Sequence, residues 1–165
     1  MGSARGSAAG NWTSENRRAE TVTGPITVRP CTAEDRDAVV ALWTACELVV
    51  PWNDPAADFA LALSKTGSTV LAAVADGRLV ATAMVGQDGH RGWIYYVAVD
   101  PALQGRGLGR RMVAEAEGWL AAAGMPKVQL LVRETNQRVL AFYERLGYAK
   151  SPVTMMQKWL TNPSP

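Results

Sequence analysis

Gln104-Gly105-Arg106-Gly107-Leu108-Gly109 is the stretch whose reading decides the fold. It follows a strand-like apolar run, Ile94 to Val99, and opens a helix-like run that begins near Gly107. A glycine-rich turn between a strand and a helix start is suited to hold phosphate. The first N–H groups of a helix have no intrahelical partner, and the helix dipole favours an anion there. Glycines remove the Cβ atoms that would keep a pyrophosphate away from the backbone. Two common nucleotide loops fail on spacing. The triphosphatase loop needs Gly, four residues, then Gly-Lys-Ser/Thr, and no such run is present. The dinucleotide fingerprint needs Gly-x-Gly-x-x-Gly, but position 110 is Arg and Gly109 comes one residue early.

Working outward, Leu108, Met112, Ala116, Trp119, Leu120 and Ala123 line one face of a helix that Gly124 and Pro126 stop. Lys127 to Arg133 reads as a strand. Asn136 to Leu146 reads as a helix with Val139, Phe142, Tyr143 and Leu146 on one stripe and Gly147 as its stop. Tyr148 and the segment from Val153 to Trp159 are read as supplying the final strands. Upstream, Asp76-Gly77 between two apolar runs, Val70 to Ala75 and Leu79 to Val85, is a strong hairpin signal. Another strand spans Trp93 to Val99, and its alternation predicts that Tyr95 and Tyr96 point to opposite faces. Ile26 to Arg29 reads as a short strand. Two helices follow, one after Thr32 and one from Ala56 to Lys65, separated by Pro51-Trp52-Asn53-Asp54-Pro55. Strands and helices in this order define a mixed α/β layer architecture.

The chain has 165 residues, enough for one domain with a real core. Residues 1–24 are small and polar, with neither a periodic apolar face nor the apolar centre of a signal peptide, and read as an unstructured tail. Residues 25–160 form the expected domain, and 161–165 a short second tail. Hydrophobic residues make up 48% and charged residues 19%, a globular composition. A net charge of +2 and no repeated basic–aromatic pattern argue against nucleic acid. No apolar run approaches a membrane span. Cys31 and Cys46 lack ligand-like spacing and are expected as reduced, buried thiols in a cytoplasmic protein.

The pattern Gln-x-x-Gly-x-Gly at Gln104, Gly107 and Gly109, the preceding Val97-Ala98-Val99-Asp100-Pro101, and the later Asn136 with Ala141-Phe142-Tyr143-Glu144-Arg145-Leu146-Gly147-Tyr148 together resemble the GNAT superfamily of acetyl-CoA-dependent N-acetyltransferases. The likeness spans nearly all of residues 26 to 160. Trp52-Asn53-Asp54 and Asp88-Gly89-His90-Arg91-Gly92 further resemble the small bacterial YpeA-like branch. The resemblance implies a mixed, mostly antiparallel sheet of six to seven strands flanked by about four helices. It implies acetyl-CoA as co-substrate, no metal, and an acceptor that is a small-molecule amine or a protein amino group. A homodimer is left open. Backbone N–H groups across Gln104, Gly105, Arg106, Gly107, Leu108 and Gly109 would cradle the CoA pyrophosphate. Backbone groups of Val97 to Val99, Ala98 included, would run beside the pantetheine arm, at a strand bulge next to a slot. Arg106, Arg110 and Arg111 would reach the phosphates, although a solvated first turn with Arg111 paired to Glu115 explains them too. Asn136 would contact the cofactor arm, cap its helix, or do both.

The implied chemistry is acyl transfer from a thioester to a neutral amine, with no covalent enzyme intermediate. A backbone N–H near Val97 would face the charge that develops on the carbonyl oxygen. Tyr143 would protonate the leaving thiolate, a phenol with pKa of roughly 10 being a workable acid; its other reading is a core aromatic of the helix stripe. In several family members a carboxylate on the fourth strand deprotonates the amine. Here that strand carries Trp93, Ile94, Tyr95 and Tyr96 instead. Glu47, Asp54, Asp88, His90 and Glu134 remain as candidates by residue type. The rival to an enzyme is a CoA-binding regulatory or interaction module of the same fold.

Overall fold

The computed structural model describes residues 22–160. The expected tails therefore lie outside the described residues, except for 22–24, where the Thr23 and Gly24 N–H groups both donate to Asp76 Oδ2. Among the described residues there are five strands: β1 (Thr27–Pro30), β2 (Ser68–Ala75), β3 (Arg78–Gln87), β4 (Gly92–Val99) and β5 (Val128–Gln129). Four α-helices accompany them: α1 (Arg36–Ala45), α2 (Pro55–Ser64), α3 (Leu108–Ala122) and α4 (Gln137–Arg145). The sheet runs β1-β2-β3-β4-β5 in space, antiparallel throughout except that β4 and β5 are parallel. Asp76 and Gly77 both have positive φ, as the two-residue turn between β2 and β3 requires.

Each face of the sheet carries its own core. On one side Val80, Ile94, Leu108, Met112, Val113 and Leu120 form a cluster against α3, with Phe142 and Tyr143 of α4 packed on it. On the other, Val39, Leu42 and Trp43 of α1 and Phe59 of α2 cover Val70, Ala72 and Ala98. Each such buried side chain contributes about 1.5–3 kcal/mol. Gly92 lets α3 approach β4 closely, because a Cβ there would lie 2.6 Å from both methyl carbons of Leu120. Cys31 and Cys46 are free thiols, and burial pushes Cys31 up to about 12. At the start of α1, Asp35 accepts from both Arg29 Nη1 and Nη2 at 2.8 Å and from the Thr32 N–H at 2.8 Å. No helix among the described residues is long and apolar enough to cross a membrane.

The strand count differs from the six to seven expected. β5 is two residues long where Lys127 to Arg133 was the expected span, and residues 148–160 contain no strand. β5 pairs only Gly92 with Val128 and Trp93 with Gln129 before it leaves β4. An edge that short offers no ladder on which later strands could build, and Pro152 lacks the N–H that a ladder needs. The alternation expected for β4 also breaks. Ile94 points into the α3-side core. Tyr96 packs on the α1 side. Tyr95 stacks on Trp93, 6.2 Å away, beside a groove that Lys65 at the end of α2 also lines. The two tyrosines thus share a face, because the β3–β4 register shifts between Thr82 and Met84 and places Tyr96 and Val97 together opposite Ala83.

Candidate active site

The helix start that follows Gln104-Gly105-Arg106-Gly107 lacks a side-chain cap. Asp54 caps α2 through the N–H groups of Ala56 and Ala57, and Asn136 Oδ1 caps α4 by accepting from the Val139 N–H. At the start of α3 stands Gly107, with φ +84°, no side-chain cap and no acidic residue in the first turn. Gly105 has φ +76°, and nothing lies within 4 Å of where a Cβ on either glycine would sit. The first α3 hydrogen bond runs from the Arg111 N–H to Gly107 O, so the preceding N–H groups face outward into this open space. Arg106 and Arg110 are exposed beside it, and Arg111 pairs with Glu115 at 3.8 Å. Cations at a helix N-terminus are locally unfavourable by a few tenths of a kcal/mol, roughly, unless an anion joins them. The residues present therefore fit a pyrophosphate. Leu108 presents only its N–H on this side, since its side chain is buried in the core.

The cradle opens onto the end of β4. The Asp100 N–H donates to Val80 O, so alternation turns the N–H and C=O of Val99 away from β3, and those of Val97 with them. β5 has already left at Gln129, so these groups border a gap. The Val99 carbonyl is engaged: Gln104 Nε2 and Cys46 Sγ each donate to it at 3.2 Å. The Val99 N–H remains on the gap side. Ala98 is different, with its backbone paired toward β3 opposite Thr82 and its side chain buried against α1 and α2. Gln104 does more than border the cradle. Its Oε1 accepts from Arg138 Nη2 at 3.3 Å, so one side chain ties the turn, β4 and α4 together.

Tyr143 projects from α4 near this junction. Its neighbour Phe142 lies 3.5 Å from where a Gly109 Cβ would be, with Val99 Cγ2 at 3.8 Å, so α4, α3 and β4 meet there. The Tyr143 ring contacts Phe142 and Tyr148 edge-on at 5.0 and 5.4 Å. Burial alone pushes its phenol up to about 12. Tyr143 is half-buried in the stripe and held protonated, a state that suits either a core aromatic or a proton donor.

The α1–α2 side of the bulge was not legible in sequence. Tyr96 has φ +47°, a left-handed conformation that a bulky residue adopts at a cost of about 1–3 kcal/mol. Three sets of contacts hold it. Its ring stacks on buried Trp43 at 4.1 Å and 15°. Its carbonyl accepts from Thr82 Oγ1 at 3.4 Å, and that oxygen in turn accepts from Trp43 Nε1 at 2.9 Å. Its hydroxyl donates to Asp58 Oδ2 at 2.8 Å and accepts from Asn53 Nδ2 at 3.3 Å. Burial, then donation to Asp58, pushes this phenol up to about 12. Thr82→Val keeps the shape but leaves the buried Trp43 N–H without its acceptor. Urea denaturation should show a loss of about 1–3 kcal/mol; an unchanged midpoint would mean that the network does not support the bulge.

The base candidates scatter. Asp54 is occupied in capping α2. Asp88 caps its own loop, accepting from the His90 and Arg91 N–H groups and from Trp93 Nε1; the backbone N–H of Arg91 contributes most to holding it near 2. The His90 ring lies 3.3 Å from Arg91 Nη1. Glu47 lies in the turn after α1 with φ +57°, and both it and Glu134 are exposed. Asp88 borders an open groove of about 500 Å³ with Lys65, Ser68, Trp93 and Tyr95 on the α2 side of β4.

This arrangement defines an α/β fold in which an open anion cradle at a helix start adjoins a gap beside a central strand. Residues 36–148 match the acetyltransferase (GNAT) family, and the chain belongs to it. Among solved structures it is similar to a candidate acetyltransferase from Agrobacterium tumefaciens, at 26% identity and a TM-score of 0.68 over 81% of this chain and 99% of that one. The aminoglycoside N-acetyltransferase AAC(6')-Iy, in complex with CoA, superposes with a TM-score of 0.72 at 14% identity, covering 84% and 97% of the two chains. An acetyltransferase from Trypanosoma brucei gives 0.64 at 24% identity, covering 82% and 100%.

Proposed function

We propose that this acetyltransferase moves the acetyl group of acetyl-CoA to a primary amine, in a small molecule or on a protein, by direct transfer in a ternary complex. The observation that carries the reading is the uncapped N-terminus of α3 behind two left-handed glycines, opening onto the gap beside β4. The N–H groups from Gly105 to Arg110 hold the pyrophosphate, with the Arg106 and Arg110 guanidiniums beside them. The Val97 and Val99 N–H groups align the pantetheine arm, and Asn136, besides capping α4, borders it. The acceptor enters from the α2 side of β4, by the groove at Trp93 and Tyr95.

In the reaction a C–N bond forms and the C–S bond breaks. The Val97 N–H, preset by the bulge, stabilises the carbonyl oxygen as it gains charge. Tyr143 gives its proton to the departing sulfur and regains one from the nitrogen after attack. The proton that an ammonium acceptor sheds before attack leaves to solvent.

The test is to mix the protein with acetyl-CoA and a library of amines and follow free thiol. Thiol release above background with at least one class of amine is expected. Background release with every class, while CoA still binds, would favour the regulatory-module reading.

A further inference from the structure

Most carboxylates that the fold engages have their charge answered. Asp35 meets Arg29, Asp100 meets Arg78, Glu115 meets Arg111 and Glu144 meets Lys150. Asp54 and Asp88 are occupied by backbone N–H groups. Two half-buried carboxylates, Glu117 on α3 and Asp58 on α2, have no arginine or lysine paired with them among the described residues, and each accepts from a neutral phenol: Glu117 from Tyr148 and Asp58 from Tyr96. Of the two, Asp58 is the one tied to β4. A carboxylate withdrawn from water with only a neutral donor attracts a cation strongly.

Its position gives that attraction a use. Tyr96 immediately precedes Val97, whose backbone borders the gap, and its side chain crosses from the bulge to α2. Asp58 is therefore tied by one side chain to the strand position beside which transfer takes place. Asn53 braces the same hydroxyl, and the next residue along that loop, Trp52, is 54% exposed. An exposed indole in the loop that leads into α2 suits a cation attached to an apolar body. Packing alone does not account for the constellation. A phenylalanine at position 96 would stack on Trp43 equally well, yet the chain holds a hydroxyl against Asp58 through a left-handed backbone.

We infer that Asp58, aimed by Tyr96, receives the ammonium group of the acceptor, so that this site selects a primary amine that arrives protonated. The assignment rests on the amine-transfer reading above and names the residue that recognises the acceptor. Asp58 acts on the substrate directly, and Tyr96 is a positioning residue.

Two probes of one shape separate charge from packing: benzylamine, a cation at neutral pH, and benzyl alcohol, its neutral counterpart. Their binding is measured by tryptophan fluorescence on the protein saturated with desulfo-CoA. The wild-type protein should prefer benzylamine by about tenfold or more. Asp58→Asn, which still accepts the Tyr96 hydrogen bond, should erase the preference and leave desulfo-CoA affinity unchanged. Tyr96→Phe, which keeps the stack on Trp43, should reduce the preference by about threefold. A wild-type protein that binds the probes equally or not at all, or a preference that survives Asp58→Asn, overturns the assignment. Full selectivity in Tyr96→Phe removes Tyr96 from it. Thiol release measured in parallel keeps the two readings apart. No release with any amine sinks the transfer reading while a cation preference stands, and release without a cation preference sinks the Asp58 assignment alone.

Discussion

Tyr143→Phe should lower kcat by about 10²- to 10⁴-fold while leaving CoA affinity within about twofold of wild type. The substitution removes one oxygen from a ring held edge-on between Phe142 and Tyr148, so the packing of α4 survives. What disappears is a proton donor beside the junction of α3, α4 and β4. Steady-state kinetics with calorimetric titration of CoA checks both halves, and unchanged turnover would take the acid role from this residue. The pH dependence supplies a second reading. Burial holds the phenol near 12, so Tyr143 stays protonated, and kcat should show no loss from its ionisation between about pH 7 and 10. The sign for stability follows. A folded-state value raised above the ordinary one near 10 contributes stability that is complete below about pH 10 and lost as pH rises toward 12.

Gly107→Val should abolish measurable CoA binding, a loss of about 100-fold or more. Gly107 sits at φ +84° with open space in front of it. A β-branched residue there costs at least about 1–2 kcal/mol in backbone strain and sends its methyl groups into the space where phosphate would meet the α3 N–H groups. Gly118→Ala is the matched control. It lies within the same helix, has ordinary φ and meets nothing within 4 Å, so it should gain about 0.5–1 kcal/mol and bind CoA normally. Calorimetry with CoA and urea denaturation separate the two effects. Normal binding by the valine variant would remove the cradle from its assigned role.

The proposed donor half of the site is readable in sequence because its determinants are local. Gly105 and Gly107 needed only their positions between a strand and a helix to announce a turn free of Cβ atoms, and both have positive φ. Asn136 likewise followed from its place at a helix start, and its cap on Val139 is present. The proposed acceptor half is not readable in sequence, and the reason is specific. Its residues meet through Tyr96, whose neighbours Trp43, Asn53, Asp58 and Thr82 come from α1, the next loop, α2 and β3. The base candidates had been chosen by residue type. That criterion brought in Asp54 and Asp88, which the fold commits to local turns, and left out Asp58, whose meaning depends on a partner 38 residues away. Gln104 was legible as part of a motif, but its link to Arg138 across 34 residues was not.

The sequence by itself determined the layer architecture, the β2–β3 hairpin, the uncapped start of α3 and the family. Each depends on periodicity, on turn chemistry or on a motif within a short window. The family resemblance implied a β4 bulge beside a slot; only the tertiary structure decided that the bulge falls at Tyr96 and Val97, that β5 departs after two paired residues, and that the expected closing strands are not formed. It also decided that Asp58 meets the Tyr96 hydroxyl rather than an arginine or lysine among the described residues. Strand register and cross-sheet partners are set by contacts between distant segments, and a shift of one residue, as at Tyr96, reassigns every side chain that follows to the other face.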